Sequence, residues 1–128
     1  MNQDEIRMYE AAIDIDPQTI LSIPQNHRTG ELHERAIKKD PMLLYNVKEI
    51  SKTQKLCDIA VRIRPSVLSA VPEKYKTQEL CEFAVDLESR LVIFVPKEFQ
   101  TKEMWARGIK ENRYLKHYIP NDYKDLIN

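Results

Sequence analysis

The sequence predicts an all-α solenoid of five tandem 24-residue repeats, each a helix of about ten residues followed by a short α or 3₁₀ segment. Three observations predict it. Thr29, Thr53, Thr77 and Thr101 recur every 24 residues. After each comes a fixed apolar spacing, such as Leu80, Ala84 and Val85, which lies on one face of a helix and does not fit the alternation of a strand. Pro17, Pro41 and Pro65 then break the chain at equivalent places.

The first helix of each unit opens on its threonine, whose hydroxyl oxygen suits an N-cap. Glu79 in the first turn complements the helix dipole. One column is long and apolar, with Leu32, Leu56, Leu80 and Met104. The next is small, with Ala36, Ala60, Ala84 and Gly108, and is expected to let helices approach closely. Asp16-Pro17, Asp40-Pro41 and Arg64-Pro65 end the helix and start the short segment, since proline fits a first turn and aspartate caps it. Val47, Val71, Val95 and Ile119 close the unit, and a loop such as Pro72–Lys76 leads to the next threonine. The N-terminal stretch fits the same frame through Met8, Ala12, Ile13, Ile23 and Pro24. One domain, 1–128, is expected, with repeats 5–28, 29–52, 53–76, 77–100 and 101–124. The run Arg90–Val95 read alone looks like a strand, but its sister segments Pro41–Val47 and Pro65–Val71 lack its β-branched and aromatic content.

Twenty basic residues balance twenty acidic ones, so no long-range field steers the chain toward nucleic acid or an anionic membrane. The N-terminus lacks the pattern of a secretory signal, and no apolar run approaches the ~20 residues of a membrane span. A cytoplasmic protein is expected, with Cys57 and Cys81 as free thiols. Only two glycines occur, which leaves no phosphate-cradling loop. No cofactor is implied.

The pattern is clearest at Thr53–Pro72 and Thr77–Pro96, where a threonine, a leucine-cysteine pair, an Ala-Val pair and a Val-Pro close recur. It resembles the short helical repeats of "domain of unknown function 4116". The period and the alternation of long and short helices also resemble the leucine-rich repeat variant fold. The resemblance implies a right-handed helical stack and carries over no catalytic residue.

Four groups of residues could carry chemistry. His33, Cys57, Cys81 and Trp105 share a column, but neighbouring repeats stand about 10 Å apart. Zinc ligands must lie about 2.0–2.3 Å from one ion, so packing is the expected role and no metal site is implied. His27 and His117 stand alone, and no nucleophile, base and orienting group can be assembled, so the chain is not expected to be an enzyme. A loop column of Arg28, Lys52, Lys76 and Lys124, interrupted by Gln100 and preceded in three repeats by Tyr75, Phe99 and Tyr123, could track RNA or another single strand. The plainer reading leaves these lysines solvated while the aromatic residues cover the core between repeats. Finally, bulky residues appear where the repeat does not require them: Tyr45, Ile93, Phe94, Tyr114 and Tyr118. These are the candidate contacts for a protein partner, or the cap of the last repeat, and a homodimer through the C-terminal repeats would satisfy both. A non-enzymatic protein-interaction scaffold, adaptor or inhibitor is the expected function, with a repeat-based nucleic-acid binder as the alternative.

Overall fold

The computed structural model describes residues 1–127; Asn128, the last residue of the expected domain, lies outside them. The described chain is all-α and repeats the same two-layer unit five times. One layer holds helices α1 (Gln3–Ile15), α2 (Gly30–Lys39), α3 (Gln54–Ile63), α4 (Gln78–Leu87) and α5 (Lys102–Glu111). The other is a ladder of 3₁₀ rungs at Pro17–Ser22, Pro41–Asn46, Pro65–Ala70, Ser89–Phe94 and Arg113–Tyr118. The run that resembled a strand is therefore the fourth rung.

The capping chemistry sets these boundaries. Thr29, Thr53, Thr77 and Thr101 each accept a hydrogen bond from the backbone N–H three residues on, at 3.1–3.2 Å. Repeat 1 has Glu5 at that position, and the cap moves back to Asn2, whose Oδ1 accepts from Glu5 N–H at 2.8 Å. Helix α1 accordingly starts before the 24-residue frame and reaches 13 residues. At the break, Asp16, Asp40 and Asn112 turn a side-chain oxygen onto the N–H two residues later, which starts the rung. The expected loops also hold a further turn of 3₁₀ helix: Gln25–His27, Glu49–Ser51, Glu73–Tyr75 and Lys97–Phe99. Proline or lysine precedes each turn, and its carbonyl accepts the N–H of the turn's last residue, as in Tyr75 to Pro72 at 2.9 Å.

Packing is sequential. Each α-helix from α2 onward rests on the rung of the repeat before it, and consecutive rungs from the second onward touch one another. Column by column, burial shows which neighbour covers what. Leu32, Leu56, Leu80 and Met104 are buried, while their counterpart Met8 is 71 % exposed, so this column faces the preceding repeat. Ile20, Leu44, Leu68 and Val92 are buried, whereas the fifth rung places Lys116 there, exposed, so that column faces the following repeat. In the described chain no repeat covers Met8 or Lys116; the fifth repeat has a polar residue at its uncovered position, whereas the first keeps an apolar one. The tail Asn121–Ile127 folds against α5, and Tyr123 and Leu126 pack partly buried on the core.

The column of small residues brings helix and rung into contact. Ala36, Ala60 and Ala84 are buried, and a Cβ on Gly108 would lie 2.9 Å from both the Ser89 carbonyl oxygen and Val92 Cγ1. Helix α5 thus sits closely on the fourth rung.

Candidate functional site

Four columns determine what the surface offers, beginning with the thiols. Cys57 and Cys81 are free and fully buried, and burial pushes each thiol up to about 11. Buried, protonated sulfur of this kind packs as a small hydrophobe and is a poor nucleophile. In the same column, Trp105 donates its indole N–H to Gln100 Oε1 at 3.0 Å. Burial and the nearby Arg28 charge both lower the pKa of His33. Among the described residues no cluster of three or more His, Cys, Asp or Glu side chains could hold a metal ion. We expect the thiols to react with a disulfide reagent at pH 8 only as fast as the protein opens. Stability should fall as pH rises from 9 toward 11, because the unfolded chain loses thiol protons that the folded chain keeps. Replacing both cysteines with alanine should remove that alkaline slope, and labelling of the folded wild type at the rate of a free thiol would contradict the burial.

The loop column differs from both of its sequence readings. Lys52 and Lys76 are neither solvated nor presented to a ligand; each is only 7 % exposed. Lys52 Nζ donates to the Ala70 carbonyl at 2.8 Å and to Glu49 at 2.8 Å. Lys76 Nζ donates to the Phe94 carbonyl at 2.7 Å and to Glu73 at 2.9 Å. Ala70 and Phe94 end their rungs, so each lysine satisfies a terminal carbonyl that lacks a partner within its own rung. The two lysines tie repeat 2 to the third rung and repeat 3 to the fourth. Arg28 turns back instead, donating to Ile23 O and Leu21 O at 2.8 and 2.9 Å. Gln100 does likewise with Val95 O at 2.8 Å, and Lys124 alone of the column is exposed. Tyr75, Phe99 and Tyr123 pack partly buried against the core, and the Tyr123 hydroxyl donates to Gln100 O. The column is largely a set of ties between and within repeats, and its charges do not form an exposed stripe.

The outer side of the ladder carries the bulky residues. Tyr114 and Tyr118, 77 % and 64 % exposed, share the fifth rung. Ile93 is at the edge of exposure on the rung before, and Tyr45 is about half exposed on the second rung, its hydroxyl hydrogen-bonded to Ser69 Oγ of the third. Met42, also exposed, shares the rung position of Tyr114. Phe94 differs from the sequence expectation. It is half-buried and packs on the core, where Ala70 of the third rung is also buried, so it is partly a core residue. The structure thus groups Tyr114 and Tyr118 on one rung and Ile93 and Phe94 on the one before, with Tyr45 two rungs further along. Sequence reasoning passed over three exposed apolar side chains on the other layer: Ile15, Ile63 and Leu87, which recur at one position near the C-terminal ends of α1, α3 and α4. Their shared place in the 24-residue frame, interrupted by Lys39 in repeat 2, was the available signal.

Exposed ion pairs also connect neighbouring helices of the α-layer. Arg35 bridges to Asp14 at 2.8 Å and Glu10 at 3.2 Å, and Arg107 to Asp86 at 3.3 Å. An open groove of about 560 Å³ beside Arg35 is lined by Glu10, Glu31, Glu34, Lys38 and Lys55, whose mixed charges largely neutralise one another. No helix is long and apolar enough to cross a membrane among the described residues.

No known family is shown. No family model matches the chain, and no curated protein or solved structure matches it at a significant level.

Proposed function

We propose that this chain is a non-enzymatic protein-interaction scaffold, acting in the cytoplasm as an adaptor or an inhibitor. A protein partner docks on the outer side of the 3₁₀ ladder. One observation carries this reading: Tyr114 and Tyr118 stand in the open on the fifth rung, where sister repeats have Gln18, Met42, Ser66 or Arg90 and Ser22, Asn46, Ala70 or Phe94. The fold does not require aromatic residues there, and exposed aromatic side chains are the residues that most often anchor interfaces. Ile93 and Tyr45 extend the same face toward the N-terminus. A second copy of the chain is one candidate partner. The likeness to "domain of unknown function 4116" and leucine-rich-repeat-variant repeats supports a helical scaffold and does not assign a partner.

Nucleic acid is the weaker reading, since Lys52 and Lys76 are buried and bonded within the fold. An enzyme would need a converging nucleophile and base. The buried thiols and the bonded His27, whose Nδ1 lies 3.2 Å from the Tyr9 hydroxyl, do not supply one.

The test is Tyr114→Ala with Tyr118→Ala, measured against a partner recovered from the native host, or by dimer dissociation if the partner is itself. We expect affinity to fall by ~2–4 kcal/mol with helical content and melting temperature nearly unchanged. A folded double variant with undiminished affinity would remove this face from consideration.

A further inference from the structure

The fifth rung differs from the other four in charge as well as in exposure. None of the five rungs holds an aspartate or glutamate, but only the fifth carries two cations, Arg113 and Lys116; the first three carry none and the fourth carries Arg90 alone. The position before the rung is a carboxylate in three earlier repeats, Asp16, Asp40 and Glu88, and is the neutral Asn112 here. Of the rung itself only Leu115 is buried; Arg113, Tyr114, Lys116, His117 and Tyr118 face solvent. Among the described residues neither Arg113 nor Lys116 enters an ion pair, whereas Arg90 on the rung before is held by Glu88 at 2.7 Å. Glu111, the nearest acid toward the N-terminus, accepts the Arg90 backbone N–H at 2.8 Å.

Closing the end of the stack explains part of this. Lys116 stands where Ile20, Leu44, Leu68 and Val92 meet the next repeat, and a polar residue suits a position that no repeat of the described chain covers. A glutamate would suit it as well, and the end needs no aromatic residue at 114 or 118. What remains unexplained is a single rung with two cations unpaired among the described residues and two exposed tyrosines, in contact with the rung that carries Ile93.

We propose that the fifth rung binds an acidic protein segment that also carries leucine or phenylalanine. Its carboxylates pair with Arg113 and Lys116, and its apolar side chains lie against Tyr114, Tyr118 and Ile93. This rests on the protein-interaction reading above and names the chemistry of the partner. Charge complementarity of this kind sets specificity and encounter rate. A polynucleotide is disfavoured by the same geometry. Tracking a backbone requires several phosphate contacts in a row, but here two cations sit on one short rung. Lys52 and Lys76 of the loop column are buried, and the next rung offers Ile93, Phe94 and an arginine, Arg90, that is already paired with Glu88.

The experiment titrates the whole chain with three labelled probes at equal ionic strength: a short synthetic peptide alternating Glu or Asp with Leu or Phe, the same peptide with serine for every acid, and an oligouridylate. The acidic peptide should bind saturably, weaken with added salt, and bind about tenfold or more loosely to Arg113→Glu with Lys116→Glu. Arg113→Lys should keep most of the affinity, and if the charge reversals unfold the protein, Arg113→Gln with Lys116→Gln replaces them. Equal affinity for the serine peptide would overturn the acidic preference and leave the protein-interaction reading in place. Binding of the oligouridylate alone, lost in the charge variants, would overturn both. Binding of none of the probes would overturn the acidic partner, and the tyrosine double variant would still decide the broader reading.

Discussion

Replacing both Lys52 and Lys76 with alanine should destabilise the protein by ~3–6 kcal/mol, the largest loss expected from any pair of residues that a composition-based reading would leave in solvent. A hydrogen bond from a charged donor contributes ~1.5–3 kcal/mol, and its removal leaves a rung-ending carbonyl without its partner. The two lysines stand one repeat apart with separate partners, Glu49 and Ala70 for one, Glu73 and Phe94 for the other, so their losses should nearly add. Against a total stability of ~5–15 kcal/mol, the double variant should unfold at a much lower urea concentration. The glutamates provide the contrast. Both are more than 70 % exposed in their side chains, so Glu49→Gln with Glu73→Gln should cost under ~1 kcal/mol per site. If the lysine variant kept the wild-type midpoint while folded, the ties to Ala70 and Phe94 would be incidental to stability.

Burial of these lysines was the feature hardest to foresee, because lysine is among the residues least often buried. A signal was nonetheless present. Glutamate stands three residues before the column in the two repeats that use it as a cross-tie, Glu49 before Lys52 and Glu73 before Lys76. The other repeats lack the pairing, with Gln25 before Arg28, Lys97 before Gln100 and Asn121 before Lys124. Repeat identity, helix caps and the apolar columns were legible because each follows from local spacing that recurs every 24 residues. The choice between α and 3₁₀ for the rungs was not, since six residues, three of the five runs opening on proline, suit either. The early start of α1 was missed because Asn2 lies outside the frame. Exposure of Tyr114 was inferable from the variability of its column, which holds Gln18, Met42, Ser66 and Arg90; that of Tyr118 was not, because it shares the column of Phe94. Phe94 misled because its column holds exposed Asn46 beside buried Ala70, and only the packing of neighbouring rungs distinguishes them.

Gly108→Leu should cost about 3 kcal/mol or more, because the added side chain must enter a space already filled by backbone. In an unobstructed helix interior, replacing glycine with alanine gains ~1 kcal/mol through propensity alone. At Gly108 even the Cβ would lie 2.9 Å from the Ser89 carbonyl oxygen and Val92 Cγ1, and 3.3 Å from Leu115 Cδ1. The Ser89 carbonyl starts the fourth rung and cannot rotate away as a side chain would, so α5 must shift off the rung. Overpacking of this kind costs ~1–3 kcal/mol and occasionally more, with leucine at the upper end and Gly108→Ala at the lower end after its propensity gain. Gly30 provides the control: a Cβ there meets nothing within 4 Å, so Gly30→Ala should be neutral or stabilise by up to ~1 kcal/mol. Thermal and urea unfolding of the three variants would check the ordering. A Gly108→Ala protein more stable than wild type would mean that α5 relaxes away from the fourth rung without loss, and that the small-residue column does not set the helix-to-rung distance at the C-terminal end.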